Sequence, residues 1–145
     1  MKTLASILSV AISSLLFACA LPDGNKFSNA SSPCRAGGAS MSKVELYFGL
    51  NIPDGGKVAP AAWQMFVDHE ITPRFSEGLT IDEVSGQWQD EKTGRTVREP
   101  SRVLMILYKP SVETERAIED IRKAYKTKFR QDSDMRLDET NCVSF

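Results

Sequence analysis

A chain of 145 residues, 41% hydrophobic and 26% charged, has the make-up of one ordinary folded domain and is neither disordered nor collagen-like. Its 18 basic against 19 acidic side chains leave a formal net charge of −1, and no basic cluster stands out, so nucleic acid is not an expected partner. A single histidine, three cysteines without the close spacing of a zinc or redox motif, and glycine pairs without phosphate-loop spacing give no reason to expect a metal or a cofactor.

Met1-Lys2 followed by the apolar run Leu4–Phe17 reads as a secretory signal over residues 1–20. Two processing routes overlap there. Leu16–Cys19 resembles a bacterial lipobox, which makes Cys19 the lipidated first residue of the mature chain. Ala18-Cys19-Ala20 alternatively reads as a small-x-small cleavage site, releasing a soluble chain that begins at Leu21. The expected location is therefore the periplasm-facing membrane surface, held by lipid, or the soluble exported fraction. Residues 21–42, rich in Ser, Asn, Ala, Gly and Pro, have the composition of a flexible tether.

A single domain is expected over residues 43–145. Lys43–Leu50 alternates, with Val44, Leu46, Phe48 and Leu50 on one side and Glu45 and Tyr47 on the other. Asn51–Gly56 is a turn cluster. Ala59–Thr72 carries Trp63, Phe66, Val67 and Ile71 at helical spacing, and Pro73 stops it. Glu70 falls inside that apolar face, four residues before Arg74, and reads as half of a structural ion pair. Leu79–Asp90 is a strand with a phase fault: Leu79 and Ile81 share one parity, Val84 and Trp88 the other, and Gly86 suggests a bulge between them. Glu91–Gly94 supplies a hairpin turn. Arg95–Tyr108 returns, with Pro100 pointing to an edge or a second bulge and an unbroken apolar run from Val103 to Tyr108. Ser111 caps a helix over Val112–Gln131, and Met135–Phe145 is the last strand.

Strand, helix, strand, strand, helix, strand is the order of the ferredoxin-like α+β sandwich, in which two helices cover one face of a four-stranded antiparallel sheet. That topology sets the first and third strands at the centre. It also lays the end of the last strand beside the start of the first. With Cys19 lipidated or removed, Cys34 and Cys142 are left as an even pair in an oxidising compartment, and a disulfide between them is expected.

Several phrases occur together along the domain: VELYFG at 44–49, TPRF at 72–75, GLT at 78–80, GQW at 86–88, REPS at 98–101 and NCVSF at 141–145. In this order they resemble a bacterial family of small exported lipoproteins grouped as domain of unknown function 3574. The resemblance implies export and the domain boundaries, and no activity.

The candidate ligand-binding residues are Glu45, Tyr47, Trp88, Arg98, Glu99, Tyr108 and Arg136. Glu45 and Tyr47 have the parity opposite to the core set of their strand. Arg136, Asp138 and Thr140 are expected to face the same way on the last strand. On the third strand, Leu104, Ile106 and Tyr108 or their neighbours are expected beside them. An apolar strip on a face the helices leave uncovered calls for an occupant, either a second copy of the chain or an unidentified small molecule. The bland reading of that face is a solvated sheet with a cross-strand Glu–Arg pair. Two functions fit: a small binding or assembly module of the envelope, or a small enzyme built like a dimeric barrel. No nucleophile–base pair is identifiable, which favours binding.

Overall fold

The computed structural model describes Cys34, Arg35, residues 37–53 and residues 55–145. The signal segment 1–20, Cys19 within it, and tether residues 21–33 lie outside the described residues. Strand β1 spans Ala39–Gly49, helix α1 Pro60–Phe66, strand β2 Thr80–Gln89, strand β3 Thr96–Tyr108, helix α2 Val112–Phe129 and strand β4 Met135–Val143. The sheet order is β2-β3-β1-β4 and every pairing is antiparallel, which is the ferredoxin-like arrangement with the first and third strands central.

β1 starts at Ala39, ahead of Lys43, because Ala39–Ser42 find backbone partners in Thr140–Val143 of β4. Cys34 and Cys142 are disulfide-bonded, with Cα atoms 5.4 Å apart, so the chain entering β1 is tied to the end of β4.

Inward residues of β1 meet an aromatic cluster carried by the helices. The Phe48 ring lies 4.4 Å from Tyr125 and 5.5 Å from Trp63, centroid to centroid, and Phe66 lies 5.4 Å from Tyr125. Each such ring removes roughly 1.5–3 kcal/mol worth of apolar surface from water. The buried Tyr125 hydroxyl donates to the Gly49 carbonyl at 2.7 Å, so the α2 ring also fixes the end of β1. α1 loosens into a π-helical turn over Val67–Ile71, where Thr72 N donates to Val67 O at 2.9 Å. Glu70 pairs with Arg74 at 3.1 Å on this turn. α2 begins at Ser111, whose side chain accepts from Thr114 N while Thr114 returns the bond, a reciprocal cap that satisfies two exposed amides.

The bulge expected at Gly86 is absent, and at Pro100 the edge holds in place of a second bulge, since residues 96–100 pair with β2 alone. Thr80–Gln89 pairs with Met105–Thr96 residue for residue, through both Gly86 and Pro100. The phase fault in β2 has another cause: Leu79 and Ile81 pack toward the helices at its start, while Val84 and Trp88 project to the other face at its end. Pro100 is tolerated because its carbonyl accepts from Leu50 N on the β1 side. A strand residue's nitrogen points the same way as its oxygen, and β1 has ended there, so no ladder bond is lost.

Candidate functional site

Antiparallel register puts directly opposed residues on the same face, so the side of the sheet away from the helices can be read row by row. Met135, Tyr47, Val103 and Asp82 form one row across the four strands. Leu137, Glu45, Met105 and Thr80 form the next. Toward the hairpin, Gly49, Ser101 and Val84 align, then Glu99 with Gly86, then Val97 with Trp88. All of these rows but the second, which contributes only Glu45, floor a groove of about 1040 Å³ that Ile52-Pro53 and the segment Gln131–Asp134 also line.

Apolar side chains share that floor with polar ones. Val103 is only 8% exposed, sunk between its neighbours, whereas Val84 is 37%, Trp88 47% and Met135 55% exposed. An alternating strand with one wet face would carry polar residues here. The β3 run instead supplies Val103, Met105 and Leu107 to the open face and Leu104, Ile106 and Tyr108 to the core.

Polar groups on the floor are held in fixed positions. The Tyr47 hydroxyl donates to Glu45 Oε2 at 2.8 Å, and Lys43 Nζ sits 2.9 Å from Glu45 Oε1 and 2.9 Å from Glu139. Hydrogen bonds from Lys43 and then Tyr47 hold the Glu45 carboxyl below the usual carboxylate range. The same Glu45 carboxylate pushes the Tyr47 phenol up. Glu99 Oε2 accepts from Asn51 N at 3.2 Å, and its carboxylate lies over Gly49, where an added Cβ would stand 2.8 Å from Glu99 Cδ. A side chain at 49 would displace this carboxylate from its seat, and the Tyr125 hydroxyl binds the same residue's carbonyl.

Of the seven expected ligand-binding residues, Glu45, Tyr47, Trp88 and Glu99 line the groove. Arg98, Tyr108 and Arg136 do not. Arg98 has the parity of Arg102 and Leu104, on the opposite side of the β2–β3 hairpin. Tyr108 is buried on the helix face, where its hydroxyl donates to Glu115 Oε1 at 2.8 Å. Arg136 lies opposite Leu46 and reaches α2, at 2.7 Å from Glu115 and 2.9 Å from Glu119, with Asp138 at 2.7 Å. The physical reason is that α2 presents carboxylates, not apolar residues, above the edge strand β4. Arginine at 136 is the residue that can face them, and Met135 and Leu137 are turned outward. The cross-strand Glu45–Arg136 pair of the solvated-face reading is consequently absent, since the two side chains stand on opposite faces.

Asp82, Val84, Gly49, Asn51, Ser101, Val103 and Met135 also line the groove and were not among the expected site residues. Val103 and Met135 stand directly across from Tyr47, and Asp82 stands across from Val103; placing them so requires the register, which parity along one strand does not supply. Among the described residues no group of His, Cys, Asp and Glu side chains is arranged to hold a metal ion.

Fold and face together define a class: an α+β sandwich with one side of its sheet covered by helices and the other side grooved. The chain belongs to the family described as Protein of unknown function (DUF3574), whose model matches residues 43–145. Similar solved structures include a phage SAM lyase in complex with S-methyl-5'-thioadenosine, at 15% identity over 72% of this chain and 90% of that one, with a TM-score of 0.53. The same kind of phage lyase in its apo state matches at 18% identity over 75% and 91%, with a TM-score of 0.52. CutA from Synechococcus elongatus PCC7942 matches at 9% identity over 73% and 81%, with a TM-score of 0.47. No curated protein matches the chain. At these identities the likeness to the lyase is one of fold.

Proposed function

We propose that the chain is an exported binding module of the bacterial envelope, anchored through a lipid on Cys19, which holds a small molecule in the groove on the open face of its sheet. One observation carries the reading. Val84, Val97, Trp88, Val103 and Met135, from a central strand and both its flanks, form apolar patches left uncovered by the helices, in a concavity of about 1040 Å³. Small-molecule sites are concave, mostly apolar, and roughly 300–1,000 Å³ in volume, with a few fixed polar groups. Tyr47 and Glu99, each held by a hydrogen bond, are such groups. The Cys34–Cys142 bridge is in keeping with an oxidising compartment.

The test is native mass spectrometry of protein purified from its host without denaturation, beside Val103→Glu, which sets a charge in the middle of the floor. Wild type is expected to carry a releasable small molecule that the folded variant lacks. A wild-type protein that is a dimer with Trp88 protected on association assigns the face to a second copy instead. A monomer with no bound molecule, and none acquired from an envelope extract, refutes the reading.

A further inference from the structure

The charges around the groove are one-sided. No Lys, Arg or His is among its lining residues, whereas Glu45, Asp82, Glu99, Asp132 and Asp134 are. Two of these carboxylates are answered from outside. Lys43 holds Glu45 at 2.9 Å, and Arg122 Nε holds Asp134 at 2.7 Å. Asp82, Glu99 and Asp132 form no ion pair among the described residues. Glu99 differs from the other two in being half-buried and seated: its carboxylate bonds to Asn51 N and rests over the bare Cα of Gly49. A partly desolvated carboxylate without a counter-charge is costly, and an incoming cation relieves that cost where a neutral group does not.

Aromatic and aliphatic walls flank this carboxylate. Ser101 and Val97 stand two residues to either side of Glu99 on the same face, Trp88 lies opposite Val97, and Val84 lies opposite Ser101. The Trp88 indole is 47% exposed, so one of its faces is free to stack or to receive a cation. An anionic ligand would find carboxylates and no cationic side chain among the charged groups lining the groove.

Resting on the reading of the groove as a ligand site, we propose that its ligand is an organic cation: an ammonium or guanidinium head on an apolar or aromatic body, the head countered by Glu99 and the body laid against Trp88, Val84 and Val97.

Three probes of one shape separate charge from body: 2-phenylethylamine as the cation, 2-phenylethanol as the neutral form and 3-phenylpropionate as the anion. Binding to the purified, disulfide-bonded protein is followed through the Trp88 indole N–H resonance, assigned with Trp88→Phe. The amine is expected to bind about fivefold tighter than the alcohol, the size of a part-exposed ion pair, with the anion weakest. High salt should erase that preference without touching the alcohol. Glu99→Gln should do the same at low salt, while its circular dichroism remains that of wild type. An alcohol or anion binding as tightly as the amine overturns the cation class and leaves the groove a binding site. A preference unchanged in both Glu99→Gln and high salt overturns it equally. If none of the three probes moves the Trp88 resonance up to its solubility, both the class and the groove reading fail.

Discussion

Replacing both bridged cysteines, Cys34→Ser with Cys142→Ser, removes a cross-link between residues 108 apart in sequence. In the chain-entropy treatment a loop of this length confines the unfolded chain by about 4.8 kcal/mol at 25 °C, and this is a ceiling because real denatured chains are already compact. For a domain of this size, with a urea slope near ~1.5 kcal/mol/M, the ceiling corresponds to a midpoint lowered by roughly 3 M. The folded state should change little except at one corner. There, Ala39–Ser42 pair with Thr140–Val143, and the amides of those residues should lose hydrogen-exchange protection before the rest of β1. The assay is urea unfolding of wild type, wild type with reductant, and the double variant, followed by circular dichroism. Reduced wild type and the variant should share one midpoint well below that of the oxidised protein. Three coincident curves would refute the reasoning, since they would mean that the bridge neither restrains the unfolded chain nor supports the β1–β4 edge.

Adjacent residues of β3 should behave oppositely. Leu104→Ala, at a site with no exposure, should cost about 3–5 kcal/mol by chemical denaturation, whereas Val103→Ala on the groove floor should cost about 1 kcal/mol; equal losses would mean the strand faces are misassigned. All three tyrosines should titrate above their ordinary value near 10 in the folded protein: Tyr47 through Glu45, Tyr108 up to about 12 through burial and then Glu115, and Tyr125 upward through burial. A raised folded pKa gives stability that is complete below the unfolded value of about 10 and is lost as pH climbs toward the folded one. Absorbance at the phenolate band should therefore rise together with alkaline unfolding, and a tyrosine ionising normally in the folded protein would contradict this. Hydrogen bonds from Arg136 and then Tyr108 lower the Glu115 pKa, so their contribution is present above the unfolded carboxylate value of about 4.3 and disappears as pH falls through the folded one. Arg136→Met should accordingly cost about 1 kcal/mol at neutral pH, with Glu115 partly exposed, and the gap to wild type should narrow in acid; a gap that does not depend on pH would rule out the carboxylate contacts as its source.

Element order, topology and the disulfide were legible in the residues alone. β1 alternates strictly from Lys43 onward, so its inward set of Val44, Leu46, Phe48 and Leu50 follows from a period of two, and with it the outward placement of Glu45 and Tyr47. The two cysteines follow from an even count in a chain whose last strand must return beside its first. Where the pattern carries no phase, the residues are silent. Six apolar side chains in a row from Val103 to Tyr108 fit either orientation, and only the register against β1 turns Val103, Met105 and Leu107 to the open face. β4 has a clear phase that points the wrong way. Its apolar residues Met135 and Leu137 face outward because the helix above this edge offers Glu115 and Glu119, and Arg136 bonds to both. Hydrophobic patterning records burial only where the covering element is itself apolar. At a strand covered by carboxylates, and in a run apolar on both faces, which side of the sheet a residue occupies is decided by what stands opposite it in space.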